Sequence, residues 1–452
     1  MFSFKKKYLV ILIVIFVLIF FGLWNIVSEG YDKQDKTILF LKKIIPTKLA
    51  RKIRDTVFII PELKEKNKFL NLQVKKYEQG LDGNLFEEEI IISKKNKTKY
   101  LLKKFFLPFP RLDIRLGWAA TENSKRAHYL EIVGDKVLAI SGLGQTIFFD
   151  KKNIFKKKLI QKNIPNNINN LLAENNFELI GIRDLYVENE KVYISLQHKD
   201  ELKGFTINIY RADLNFKKLN FEIFFKTNEY WPEYNVFSGG RIEKFKNNKI
   251  LFSIGYSYVD KVAQRKDSLL GKIVSIDKDT KEFNLISMGH RNPQGLFYYE
   301  DLDLIINTEH GPKGGDEINF NFQKNKTIPN YGWDIASYGI AYDGTNPYKK
   351  PHSKYDFIEP LKYYVPSIGI SEIAYLSENF SFDRKKYLFI SSLRAASIFV
   401  IQINDELDKI IDEDRIYFPN ERIRDIEYDK ENNVFFILFE FTPSIGILKI
   451  KP

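Results

Sequence analysis

The chain has 452 residues, 44% of them hydrophobic, a formal net charge of +12 and no cysteine. That composition excludes a disordered chain and leaves room for one large domain or two to three average ones, while the missing cysteines exclude disulfides, thiolate metal sites and thiol catalysis. Lysine and arginine are spread along the chain without a basic stripe interleaved with aromatics, which argues against nucleic acid and for an acidic membrane surface as the partner of the charge.

The first element is the uncharged run YLVILIVIFVLIFFGLWNIV, which begins at Tyr8 and ends at Val27. At ~1.5 Å per residue, about twenty residues cross a hydrocarbon core of roughly 30 Å, so a transmembrane helix is expected. Lys5, Lys6 and Lys7 precede it, and the positive-inside rule keeps the amino terminus in the cytoplasm and sends the body outside. In a bacterium that is a single-pass inner-membrane protein with its body in the periplasm. A cleaved signal peptide is the competing reading, but no small-x-small cleavage site follows Trp24. Residues 1–28 are therefore read as a membrane anchor. Residues 29–105 are read as a stalk or linker, helical or irregular as far as about Leu101, solvated or lying on a membrane or partner.

From residue 106 to 452 the chain repeats an apolar strand, a polar turn, a second strand and a variable loop. Units begin near Tyr129, Arg183, Gly240, Gly295, Glu372 and Asp425, about 50 to 60 residues apart except for one longer interval. Six like units of short strands, with turns rich in Asn, Asp and Gly and no helix-period segment, predict an all-β fold. The architecture expected is a six-bladed β-propeller, with a pair of β-sandwiches as the alternative. A propeller gathers loops from different blades around one tunnel, so distant motifs can meet there.

The densest cluster of polar turns lies at 289–333. Arg291 offers a permanently charged fork for carboxylates, and Asn292 and Gln294 add amide donors and acceptors. Gly311 and Pro312 leave carbonyls free in a tight turn and Asp316 and Glu317 supply carboxylates, a combination that suits a hard cation such as calcium. Each residue taken alone also reads as a turn residue or a surface ion pair.

The words GHRNPQG at 289–295, TEHGPKGGDEIN at 308–319 and NYGW at 330–333 occur in the order seen in the glucose/sorbosone dehydrogenase family, and the chain resembles that family. GGRI at 239–242, AQRKDSLLGKIVSID at 263–277, SSLRAASIFVIQI at 391–403 and RIRD at 422–425 extend the resemblance over about 110–450. It implies a six-bladed propeller that uses pyrroloquinoline quinone (PQQ) and calcium to oxidise aldose sugars. Arg291, Arg394, Arg422 and Arg424 fall on the family's cofactor-binding positions, with Asn292 and Gln294 beside them. The carbonyls of Gly311 and Pro312 would hold the calcium that polarises the quinone, and Glu317 with the Tyr331 carbonyl would hold another.

The resemblance also carries a departure. The family's catalytic histidine stands four residues before the arginine of the Gly-Arg pair, and here that position is Phe237. Phenylalanine accepts no proton; His198 is the one weak substitute. Two functions are therefore expected from the sequence. One is a membrane-anchored, outward-facing quinoprotein oxidoreductase of an aldose or related alcohol, passing electrons to an acceptor. The other is a catalytically inactive propeller that binds an anionic or sugar-like ligand.

Overall fold

The computed structural model describes residue 71 and residues 82–451, apart from 110–126, 233–237, 258–260, 324–326, 379–380, 382 and 420. The expected membrane span, nearly all of the stalk before residue 82, and Phe237 lie outside the described residues. Among the described residues no helix is long and apolar enough to cross a membrane.

The first two strands are β1 (Leu85–Ile92) and β2 (Lys99–Phe106). Blade 1 follows as β3 (His128–Val133), β4 (Lys136–Ser141), β5 (Thr146–Asp150) and β6 (Lys162–Ile164). A short helix, α1 (Ile168–Glu174), leads to blade 2: β7 (Phe177–Glu188), β8 (Lys191–Asp200), β9 (Gly204–Asp213) and β10 (Glu222–Lys226). Blade 3 is β11 (Gly239–Phe245), β12 (Lys249–Ile254), β13 (Lys272–Asp277) and β14 (Phe283–Met288). Blade 4 is β15 (Pro293–Tyr299), β16 (Leu304–Glu309), β17 (Asp316–Phe322) and β18 (Lys362–Tyr364). Blade 5 is β19 (Ile370–Leu376), β20 (Lys386–Ser392), β21 (Ser397–Ile403) and β22 (Ile410–Tyr417). Blade 6 takes β23 (Ile423–Asp429), β24 (Val434–Phe439) and β25 (Ser444–Ile450), then closes with β2 and β1.

Six antiparallel sheets with their first strands touching in a closed ring make the six-bladed propeller expected from the repeats. Two details differ from the sequence reading. Residues 85–106 form strands of the last blade, so the stretch read as helical or irregular up to about Leu101 is in part a propeller sheet. Its charges, in KYLLKKFF and LFEEEIII, masked a strand pattern that becomes legible once Lys104 is seen to pair with Glu421 at 2.8 Å and Glu87 at 2.9 Å. The second is α1, which buries Ile168 and Leu172 between blades where no helix was expected.

The second strands β4, β12 and β24 are buried along almost their whole length because each blade packs a neighbour on both faces. Their apolar runs have to satisfy two interfaces at once. Phe389 of blade 5 stacks on Phe435 of blade 6 at 4.2 Å, and Phe149 of blade 1 meets Phe436 of blade 6 at 6.3 Å across the ring's closure.

The innermost strands are held together by acids. Asp184 accepts the Ile242 amide at 2.7 Å, Glu372 the Leu296 amide at 3.3 Å and Asp425 the Leu130 amide at 2.8 Å, each time across a blade boundary. Arg241 sits among them, with Nη1 at 2.8 Å from Asp184, 2.7 Å from Glu372 and 3.2 Å from Asp425. One guanidinium thus ties blades 2, 3, 5 and 6 at the axis.

In this topology the turn before each innermost strand and the turn between second and third strands open on the same face. Arg291, Asn292, Gln294, Gly311, Pro312, Glu317, Arg394, Arg422 and Arg424 lie in one of those two turns or at a strand end beside it, while Tyr331 stands in the long connection between β17 and β18.

Candidate functional site

Arg291 stands in the turn between β14 and β15. Gly289 opens that turn with φ +74°, and a Cβ there would lie 2.1 Å from Asn330 Oδ1, so only glycine lets the Asn330–Trp333 loop close on it. The Arg291 amide donates to Glu309 at 2.9 Å. Its guanidinium donates to the His310 carbonyl at 3.0 Å and to the Tyr342 hydroxyl at 3.2 Å, with the Trp333 ring 5.2 Å away. Asn292 and Gln294 build the floor: Asn292 Oδ1 accepts from the Gly239 amide at 3.2 Å and from Gln294 Nε2 at 3.1 Å.

Gln294 Oε1 accepts from Arg424 Nη1 at 2.8 Å, which links the turn of blade 4 to that of blade 6. Arg424 and Arg422 share Glu440, through Nε at 2.6 Å and 2.7 Å. Burial alone would raise the Glu440 carboxyl; the Arg424 and Arg422 guanidinium groups more than reverse that and hold it down at about 2. Arg394, on the turn between β20 and β21, is exposed, and among the described residues its side chain has no ion-pair partner. Its backbone packs against Gly369, beside the Ile370 carbonyl to which the His310 ring is bonded.

Glu440 thus offsets part of the positive charge that the arginines bring to this mouth. Among the described residues Glu440 is shared between Arg422 and Arg424, so one carboxylate serves two of the guanidinium groups there.

Gly311 and Pro312 form the turn between β16 and β17. Asp316 fastens it, accepting from the Gly311 amide at 3.1 Å, from Ser367 Oγ at 2.7 Å, and from the Gly369 and Ile370 amides at 2.7 Å and 3.1 Å. Asp316 is thereby spent on backbone, which removes it from the carboxylates first considered for a cation. Among the described residues no group donates to the Gly311, Pro312 or Tyr331 carbonyls. Buried carbonyls without donors beside an anion pocket fit a hard cation.

Glu317 lies deeper, opposite Glu309 on the neighbouring strand. Asn319 Nδ2 reaches both carboxylates, Glu309 at 3.0 Å and Glu317 at 3.4 Å, and His352 Nε2 is 3.6 Å from Glu317. Burial first, and Glu309 second, push the Glu317 carboxyl well above its ordinary range. Two carboxylates buried together call for a proton or a cation. Among the described residues no three His, Cys, Asp or Glu side chains stand together as metal ligands, so a cation at Glu317 would have to draw on carbonyls such as that of Tyr331. The Tyr331 hydroxyl donates to the Phe320 carbonyl at 2.8 Å and its ring stacks on His290 at 4.9 Å, fixing the loop. Lys272 braces that loop from below. It is fully buried and donates to the Val262, Ala263 and Leu270 carbonyls at 3.1, 3.0 and 2.7 Å, while Gln264 of the same turn accepts from Asn330 at 2.7 Å.

His198 does not supply the missing base. It is fully buried, lies 4.1 Å from the Phe177 ring and 3.4 Å from the Tyr210 hydroxyl, and burial pushes it down to about 4. The structure thus brings together Arg291, Asn292, Gln294, Arg422 and Arg424 directly, with Gly311, Pro312 and Arg394 on the same face, and leaves His198 out. Glu440, Glu309, Trp333 and Tyr342 belong to the site as well. Glu440 and Tyr342 had no neighbouring motif to mark them; Glu309 and Trp333 sat inside quoted words without an assigned role.

A family model described as Glucose / Sorbosone dehydrogenase matches residues 177–441. Among curated proteins the chain is similar to the uncharacterized protein slr1608 of Synechocystis sp. (strain ATCC 27184 / PCC 6803 / Kazusa), 28% identical over 282 residues, 57% of this chain and 66% of that one. It is also similar to the aldose sugar dehydrogenase YliI of Escherichia coli (strain K12), 30% identical over 232 residues, 47% of this chain and 60% of that one. The matches therefore span less than two thirds of either relative. In fold it is similar to the PQQ-bound aldose sugar dehydrogenase of Streptomyces coelicolor, with a TM-score of 0.53 at 16% identity, covering 77% of this chain and 98% of that one. With the family model running from the first strand of blade 2 to the Glu440 turn of blade 6, and the sheets closing as six blades, the chain belongs to the glucose/sorbosone dehydrogenase family.

Proposed function

We propose that the chain is a PQQ- and calcium-dependent oxidoreductase of aldose sugars or related alcohols, anchored by residues 8–27 with its propeller outside the membrane. The observation that carries this reading is the gathering of Arg291, Arg422 and Arg424, with Arg394 on the same face and Glu440 shared between Arg422 and Arg424, beside Gly311 and Pro312 carbonyls that no described group donates to. A planar tricarboxylate suits several guanidinium groups at one mouth, and a hard cation suits the carbonyls.

Bound there, PQQ with calcium supplies a quinone that accepts a hydride from a sugar carbon. The protein's part is binding and orientation. Arg291, held over Trp333, and Arg424, held by Glu440 and Gln294, present fixed donors that need no rearrangement to meet carboxylates. Asp316 fastens the Gly311–Pro312 turn through the Gly311 amide, which leaves both carbonyls for a cation. Glu440 keeps Arg422 and Arg424 from repelling each other before a ligand arrives.

The second reading, a propeller that binds an anionic or sugar-like ligand without oxidising it, is favoured by Phe237 at the family's histidine position and by the burial of His198. Adding PQQ and calcium to the purified chain, recording absorbance, then measuring dye reduction across a panel of aldoses and alcohols separates the two. Cofactor bound with dye reduced supports the enzyme; cofactor bound without reduction supports the ligand-binding propeller. No cofactor bound defeats the proposal.

A further inference from the structure

The loop 152–162 between β5 and β6 carries exposed lysines at 152, 156, 157, 158 and 162, and among the described residues none of them has an ion-pair partner. Two large apolar side chains stand out among those charges, Phe155 at 53% and Ile160 at 58% exposed. Their immediate predecessors in sequence, Ile154 and Leu159, are fully buried in the core shared by blades 1 and 6 with Phe105 and Phe436. Buried anchors alternating with exposed apolar tips make a firm platform, and the Lys449 ammonium, 5.7 Å from the Phe155 ring, adds another cation beside the tips.

The loop is also fastened to the point where the chain enters the propeller. Leu85 donates to the Lys157 carbonyl at 2.8 Å, Leu159 donates to the Gly83 carbonyl at 2.8 Å, and Asn84 bridges Lys158. Gly83 has φ +77° and a Cβ there would lie 2.1 Å from the Leu159 carbonyl, so the approach depends on glycine. Gly83, where the chain enters the propeller, therefore lies beside this patch, and the segment that leads back to the apolar run ending at Val27 precedes it in sequence. That segment, residues 28–81, could reach roughly 180 Å if fully extended at ~3.3 Å per residue, so an anchor alone does not fix the propeller's orientation. A second contact would.

We propose that the loop 152–162 docks on an anionic lipid surface, with Phe155 and Ile160 in the headgroup region and the lysines on lipid phosphates. Unpaired lysines around exposed apolar tips are the chemistry that such a surface recognises, and each lysine near an anionic leaflet strengthens binding roughly fivefold. The contact would hold one edge of the ring, the seam of blades 6 and 1, against the membrane.

The chain has no cysteine, so a single Phe155→Cys substitution in the full chain accepts one environment-sensitive fluorophore without competition. Leu202→Cys, at a position 95% exposed on another blade, is the control. Both are reconstituted in bilayers of phosphatidylcholine alone or mixed with phosphatidylglycerol, each with a trace of spin-labelled lipid. The expected result is a blue-shifted, quenched label at 155 in the phosphatidylglycerol bilayers only. The label at 202 should be unquenched, and the signal at 155 should be lost at high salt. Lys156→Glu, Lys157→Glu and Lys158→Glu together should weaken docking at least roughly a hundredfold, about fivefold for each lysine lost, without changing thermal stability. An unquenched label at 155 in anionic bilayers, as an acidic protein partner would leave it, overturns the proposal. So does equal quenching at 155 in both lipids, or quenching that survives the charge reversal.

Discussion

Glu440 accepts from Arg424 at 2.6 Å while Arg424 keeps a second donor for Gln294 at 2.8 Å, so one buried carboxylate both neutralises the site's innermost arginine and aims it. Glu440→Gln removes that charge. Breaking a buried ion pair costs on the order of 3 kcal/mol, so denaturant unfolding should show a loss of that size. Thermal stabilisation by PQQ should become larger than in the native protein, because the ligand then meets Arg422 and Arg424 without a carboxylate between them. The Glu440 carboxyl, ordinarily near 4.5, sits at about 2 when folded. Its contribution to stability is present above about pH 4.5 and is lost as pH falls towards 2, a slope the Glu440→Gln protein should lack.

The axis predicts the opposite pH trend at higher pH. Burial is the main cause that pushes Asp184 up to about 7 and Glu243 up to about 8 from ordinary values of 3.8 and 4.5. Glu131 is also raised, by burial and then by Glu427, and Glu427 by burial and then by Asp425. These groups hold protons more tightly folded than unfolded. Their favourable contribution is complete below the ordinary carboxylate range and is lost as pH rises through 7 to 8. Melting temperature should fall across that window, and Glu243→Gln should recover on the order of 2 kcal/mol at pH 8.5 and little at pH 5. An unchanged melting temperature between pH 5 and 8.5 contradicts the prediction.

Arg394 separates binding from stability. Exposed and without an ion-pair partner among the described residues, it should tolerate Arg394→Ala within about 0.5 kcal/mol of unfolding free energy. The same change should cost about tenfold or more in PQQ affinity by calorimetry, the size of one lost charge-assisted hydrogen bond.

Phe237→His restores the family's proton acceptor, and a positioned base contributes roughly a hundredfold to ten-thousandfold. Dye reduction with cofactor present should rise by an amount in that range. If cofactor is bound and no gain appears, the ligand-binding reading is favoured.

The propeller was legible because its repeats reuse one strand pattern, and Gly240, Gly295 and Asp425 do fall near the starts of β11, β15 and β23. The last blade's outer strands were not, because β1 and β2 come from before the first repeat and carry charges whose partners, such as Glu421 for Lys104, lie some three hundred residues away. At the site, the arginines announced themselves by permanent charge within recognisable words. Glu440 did not, since a lone acid in a turn looks like any other until the fold sets it between two guanidinium groups. Asp316 misled for a related reason: a carboxylate beside a Gly-Pro turn suits a cation equally well until backbone amides occupy it.

The most direct test of the arginine pocket is calorimetric titration of the full chain with PQQ and calcium, alongside Arg422→Ala and Arg424→Ala. The account predicts a single saturable site whose affinity falls about tenfold or more in each variant, with calcium required for full binding. Equal affinity in all three proteins would contradict it and leave the propeller without its proposed cofactor.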